Sequence, residues 1–223
     1  MRGVLGRAGG ATRAGMLAVG CVLVAAGLAR AQDQTTPVGP FIVDVRGVMA
    51  SFGPTEEQAA AFAYAPGDLP SLGFGVDLGA HYYPLRFGPV AVGVGGNVMF
   101  SAGHSAPEDS DGKPTGRSAD TRLRAMAAQV SINFGGEGGW SYMSAGYGVT
   151  TFTISNEAIP EPASPIRRAT INIGGGARWF WNDHLAFSLD LRVYRIPAAT
   201  NAAQDPAAAA TSRFVLGAGV SFR

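Results

Sequence analysis

"SLDLRVYRI", Ser188 to Ile196, alternates strictly, with Leu189, Leu191 and Val193 on one side and Ser188, Asp190, Arg192 and Tyr194 on the other. A period of two is that of a β-strand with one apolar and one polar face. Which face meets the surroundings decides the fold. In a water-soluble protein the aliphatic side fills a core. In a membrane-spanning barrel it meets lipid, and the carboxylate and guanidinium lie inside.

This strand, 185–196, is the seventh of eight alternating segments; the others are 41–51, 71–83, 90–103, 121–134, 140–154, 167–181 and 213–222. In the third, Val90, Val92, Val94 and Val98 oppose Ala91, Gly93, Gly95 and Asn97. The connections after strands one, three, five and seven are long, about 12 to 19 residues. Those after strands two, four and six are short: "PLRFGP", "GGEGG" and "NDH". Strict alternation of loop length gathers every short turn at one end and every long loop at the other. This is the layout of an up-and-down membrane barrel with periplasmic turns and extracellular loops.

The start of the chain is set apart from that pattern. Arg2, Arg7 and Arg13 precede an apolar run from Ala14 to Leu28, and Ala29-Arg30-Ala31 follows. Positive charge, apolar stretch and A-x-A site form a secretory signal peptide, expected over 1–31, with the barrel domain over 32–223. Cys21 is the single cysteine and lies in that leader, so disulfides and thiolate metal sites are excluded from the mature chain. Four of the 17 basic residues and none of the 16 acidic ones fall in the leader, leaving 13 against 16 and a net charge of −3. No basic patch exists for nucleic acid, which is not an expected partner. No further apolar run of about 20 residues offers a spanning helix. A closed barrel is the remaining way to satisfy a backbone in lipid.

The polar face answers the opening question. It is glycine, serine and asparagine with a few charges, and Lys113 is the single lysine of the chain. Small residues suit a narrow lumen, whereas a solvated surface carries Lys and Glu. The leucines therefore face lipid. The inward charges are Asp44, Arg46, Asp77, His81, Arg178, Asp190 and Arg192. An unpaired ion in a packed lumen costs several kcal/mol, so a paired, structural network is expected. Counting heights from the short-turn end pairs Arg46 with Asp77, and Arg178 or Arg192 with Asp190, and brings His81 near Asp44. Trp140 follows a short turn, and Trp179 and Trp181 precede one, at the level of Tyr82, Tyr83, Phe41, Phe134 and Phe222. Aromatics at one level form the expected interfacial girdle.

The hairpin "INIGGGARWFWNDHLAFSLDLRVYRI", 171–196, and the terminal "FVLGAGVSFR", 214–223, resemble the small outer-membrane β-barrel family of the OmpA/OmpX-like kind. The resemblance implies an all-β, eight-stranded antiparallel barrel in the cell outer membrane, surrounded by outer-membrane lipid, without a peptidoglycan-binding domain. It also implies that the barrel-insertion machinery reads the last strand. Gly217, Val220 and Phe222 match that terminal signal, although Arg223 follows where the family ends on the aromatic.

Chemistry is sparse. His104-Ser105 is similar to the His-x-Ser of outer-membrane lipid A deacylases but lacks its spacing, which leaves a hydrolase as a minor alternative. Glu108, Asp109 and Asp111 form an acidic loop without the full calcium-loop spacing. Thr55 to Gln58 is a capping box, so a short helix is expected in the first loop. No cofactor is expected. The expected function is a non-enzymatic envelope or surface-interaction role through the loops. A narrow channel or transporter for small or hydrophobic solutes is the alternative, although eight strands leave an interior just filled by side chains.

Overall fold

Alternating strands in lipid must pair on both edges, because no water satisfies an open edge there. The computed structural model describes residues 40–53, 56–61, 64–108, 110–114, 118–136, 138–155, 167–198 and 210–223. The signal-peptide segment, Thr55 of the capping box and Asp109 lie outside the described residues. The strands are β1 (Phe41–Ser51), β2 (Leu72–Phe87), β3 (Val90–Ser105), β4 (Ala119–Gly136), β5 (Gly139–Ser155), β6 (Arg167–Phe180), β7 (Leu185–Ile196) and β8 (Thr211–Phe222). A short helix, α1 (Glu56–Ala61), and a 3-10 turn (Pro66–Asp68) lie between β1 and β2.

Each strand pairs antiparallel with the next, and β1 closes on β8 to complete an eight-stranded up-and-down barrel. Val43 stands opposite Phe222 and Ala50 opposite Val215 across that seam. The described strands run longer than the alternation suggested at several ends. β2 continues past Tyr83 because the register shifts between Tyr82 and Leu85. Pro84 lies in that shift and has no N–H for the ladder, so a local irregularity carries the strand past it. The β2–β3 turn closes at Gly88, whose φ of 60° suits a residue without Cβ.

The aliphatic face points out. Ile171, Leu189 and Leu191 are 52%, 37% and 57% exposed, while Asp190 and Arg192 are buried inside the ring. The interior is layered rather than uniformly polar. Nearest the short turns, Ile42, Tyr83, Ala91 and Trp140 pack together against Phe180. Nearest the long loops, Val48, Ala50, Phe52, Met99, Leu123, Ala125, Tyr194, Ile196 and Val215 form an apolar plug, joined by Phe152. Ala59, Tyr64, Leu69, Ala119 and Ile154 seat the first loop over that plug. The charges occupy the waist between these two apolar layers.

Trp140 corrects the girdle expectation. It is buried inside the barrel, with its ring 4.7 Å from that of Phe180. It shares the even parity of Ser144 and Thr150, which face the lumen, so strand period outweighs nearness to the turn. Trp179, Trp181 and Tyr82 do lie outside; Trp179 stacks on Phe187, and Tyr82 packs on Phe41 at 4.8 Å.

Candidate functional site

The lumen waist holds the densest polar chemistry among the described residues. Every strand contributes to it through an inward position: Asp44 and Arg46 from β1, Asp77 and His81 from β2, Asn97 from β3 and Gln129 from β4. The other half is Tyr142 and Ser144 from β5, Asn172 and Arg178 from β6, Ser188, Asp190 and Arg192 from β7, and Ser221 from β8.

Asp44 is the hub. Arg178 reaches it from across the lumen and donates through Nε at 3.0 Å and Nη2 at 2.8 Å, a bidentate fork. Arg46 Nη2 lies 2.7 Å from Asp44 Oδ1, close enough for strong attraction but without a hydrogen-bonding angle. The Ser221 hydroxyl also donates to Asp44. His81 Nδ1 stands off at 3.9 Å, while its Nε2 is 3.0 Å from Gln129 Oε1.

A second carboxylate, Asp77, accepts from Arg46 Nη1 at 3.3 Å and from Asn97 Nδ2 at 2.6 Å. The third, Asp190, accepts from the Tyr142 hydroxyl at 2.6 Å and from Arg192 Nη2 at 3.1 Å. Arg192 also donates to Asn172 at 2.7 Å and Ser144 at 2.9 Å. Gln129 Nε2 bridges Asn97 Oδ1 and Asn172 Oδ1 at 2.9 and 3.1 Å, which joins the Asp77 and Asp190 groups, and Arg46 ties Asp44 to Asp77. Three arginines thus face three aspartates. The waist is charge-balanced, so burying it strands no net charge.

The Arg46–Asp77 and Arg192–Asp190 contacts match the heights counted along the strands. Arg178 does not pair with Asp190. In the β6–β7 register Gly176, not Arg178, stands opposite Asp190, and Arg178 crosses the ring to Asp44 instead. Tyr142 was not singled out from the sequence. Its ring lies under the Arg178 guanidinium at 4.0 Å, and Gly176 leaves it room, since a Cβ there would sit 2.8 Å from the hydroxyl. Its parity on β5 marked it as inward, but no charge drew notice to it.

The two mouths are closed by arginines of a different kind. Near the loop end, buried Arg213 donates to the carbonyls of Phe52 and Gly53 and packs over Phe152 at 4.5 Å. At the turn end Arg223 lies over Phe180 at 4.4 Å and donates to the Asp183 carbonyl. In β8, Gly217 faces the lumen beside Arg46, while Val220 and Phe222 face outward. His104 is exposed on the outer wall and sits 3.0 Å from Asp120, whereas Ser105 alternates to the other side of β3.

No family model matches the sequence, and no curated protein matches it. Solved structures do. Neisserial surface protein A (NspA) is 13% identical, covering 82% of this chain and 97% of its own, with a TM-score of 0.50. Ail, the attachment invasion locus protein of Yersinia pestis, solved in complex with the heparin analogue sucrose octasulfate, is 14% identical, covering 82% and 97%, at 0.47. The outer membrane protein OprG from Pseudomonas aeruginosa is 11% identical, covering 85% and 97%, at 0.47. At these identities the likeness is one of fold. With its closed ring and an apolar band around the outside, the chain has the fold of the small eight-stranded outer-membrane barrels.

Proposed function

We propose that the protein is a non-enzymatic, non-conducting barrel, a structural element of the envelope whose long loops serve surface interaction. The supporting observation is the packed lumen. Asp44, Arg46, Asp77, His81, Arg178, Asp190 and Arg192 are each at most 7% exposed, with an apolar layer above and below. A continuous aqueous path would wet these groups. An ion entering the waist would also have to break charge-assisted hydrogen bonds that no wider vestibule replaces.

The test is conductance of the purified, refolded full chain in a planar lipid bilayer. The expected trace is that of bare lipid. Discrete current steps from the wild-type protein would overturn the reading and favour a narrow channel or transporter. The non-enzymatic part rests on His104 and Ser105 facing opposite sides of β3, which separates that candidate base from that candidate nucleophile. Turnover of a fluorogenic ester lipid above a heat-denatured control would overturn that part. Outer-membrane lipid and the barrel-insertion machinery are the partners this reading requires.

A further inference from the structure

The outer wall is apolar along its middle, and its loop end carries charge at Asp120, Arg122 and Arg124 on β4, Arg167 on β6 and Arg195 on β7, with Asp120 paired to His104 of β3. On β4 the outward residues climb from Phe134 through Ile132, Val130, Ala128 and Met126 and then change to Arg124 and Arg122. Eight strand steps at about 3.4 Å, tilted by roughly 40°, rise about 21 Å, close to the height of a spanning apolar band. Arg124 and Arg122 therefore stand at the headgroup level of the leaflet on the loop side. The ladder carries positive charge onward: Arg124 lies opposite Thr151 of β5, and Thr151 opposite Arg167 of β6. The outward positions of β1 and β8 bear no charge.

Beside these arginines lies a shallow, open depression of about 320 Å3, lined by Phe74, Val76, Phe100, Ala102, Arg122 and Arg124 together with backbone of β2 and β3. Register explains it. Ala102 stands between Phe74 on β2 and Arg122 on β4, so one small side chain interrupts a row of large ones. Below it, Val76, Phe100 and Arg124 form the next row. The depression thus has apolar walls on its β2 and β3 side and two arginines along its β4 side.

We propose that this groove seats one acyl chain of a phosphate-bearing lipid of the surrounding leaflet, with the lipid phosphate held by Arg122 and Arg124. Charge and shape both select that occupant. A guanidinium presents five donors in a fork that matches phosphate oxygens, so each arginine binds phosphate while keeping a protein neighbour. The apolar walls continue the lipid-facing surface, which a soluble anion does not need. Arg167 extends the positive arc for a second phosphate on the same or an adjacent lipid.

The experiment uses the full chain in phosphatidylcholine bilayers with spin-labelled phosphatidic acid or spin-labelled phosphatidylcholine as probe. Electron paramagnetic resonance reads the motionally restricted fraction of each. Wild type is expected to prefer phosphatidic acid about fivefold, the order that two exposed ion contacts supply. Arg122→Gln with Arg124→Gln should bring the ratio close to unity. Ala102→Phe, which fills the groove and keeps both charges, should lower it as well. Arg195→Gln, a change on β7 where Arg195 bonds Ser212, should leave it intact. An unchanged ratio in the double variant overturns the proposal. So does an equal loss in Arg195→Gln, which would indicate a diffuse positive field. Loss of the preference on adding millimolar inorganic phosphate would assign the arginines to free phosphate and overturn the lipid.

Discussion

The two faces of β7 carry opposite chemistry on one backbone. Outward, Phe187, Leu189 and Leu191 are 50%, 37% and 57% exposed and meet a fluid solvent that reshapes around them. Inward, Ser188, Asp190 and Arg192 are almost wholly buried, and each bonds a named partner on another strand or its own. The outer face needs only to be apolar, so many sequences satisfy it. The inner face is a set of matched pairs, in which the loss of one member leaves another without its counter-charge. Substitution costs should therefore fall steeply from lumen to lipid.

The largest effect is expected at the hub. Asp44→Leu leaves Arg178 buried without its carboxylate, and removing one partner of a buried pair typically costs about 3–5 kcal/mol. Asp44→Leu combined with Arg178→Met removes both charges and should be less destabilising than the single change. Urea unfolding in detergent micelles, followed by tryptophan fluorescence, measures both. A double variant weaker than the single one would break the contrast, because the waist would then depend on shape rather than charge.

Next comes the apolar plug. Leu123 is wholly buried among Met99, Phe52 and Val215, so Leu123→Ala opens a cavity worth roughly 2–5 kcal/mol. Leu189→Ala removes the same atoms from the lipid face, where acyl chains refill the space, and should cost clearly less. Equal midpoints in the same urea titration would mean that the plug is not tightly packed. Tyr142→Phe deletes a single hydrogen bond to the Asp190 carboxylate and should cost about 2 kcal/mol, the usual range for a bond to a charged group.

The contrast between faces also accounts for what was legible in the sequence. Strand number, connection order and the inside-outside assignment follow from a period of two and from loop length, both local properties. Height alone left Asp190 with Arg178 or Arg192, of which Arg192 on its own strand is the partner, while the Arg46–Asp77 pair followed from it directly. The partner of Arg178 did not, because in a narrow ring a long side chain reaches across the lumen, from β6 past two strands to β1. Such a contact depends on diameter and stagger, which no single strand encodes. Trp140 and Tyr142 were within reach of parity, since both share the even positions of Ser144. Position beside a turn and lack of charge obscured them.

The smallest effect on stability, and the most discriminating one, concerns the outer face of β8. Phe214 and Phe222 are 57% and 45% exposed, both outward, and neither belongs to the interior network. Lipid contact treats them alike, so Phe214→Ala and Phe222→Ala should shift the unfolding midpoint of the refolded protein by similar, small amounts. Phe222 differs in place: it pairs with Val43 of β1 and Leu185 of β7, at the seam where the last strand closes the ring. If the insertion machinery reads the end of β8, Phe222→Ala should lower the yield of inserted barrel in cells several-fold while Phe214→Ala leaves it near wild type. Membrane fractions scored by heat-modifiable gel mobility give that yield. Equal yields would remove the terminal signal from Phe222 and leave the outer face of β8 as lipid contact alone.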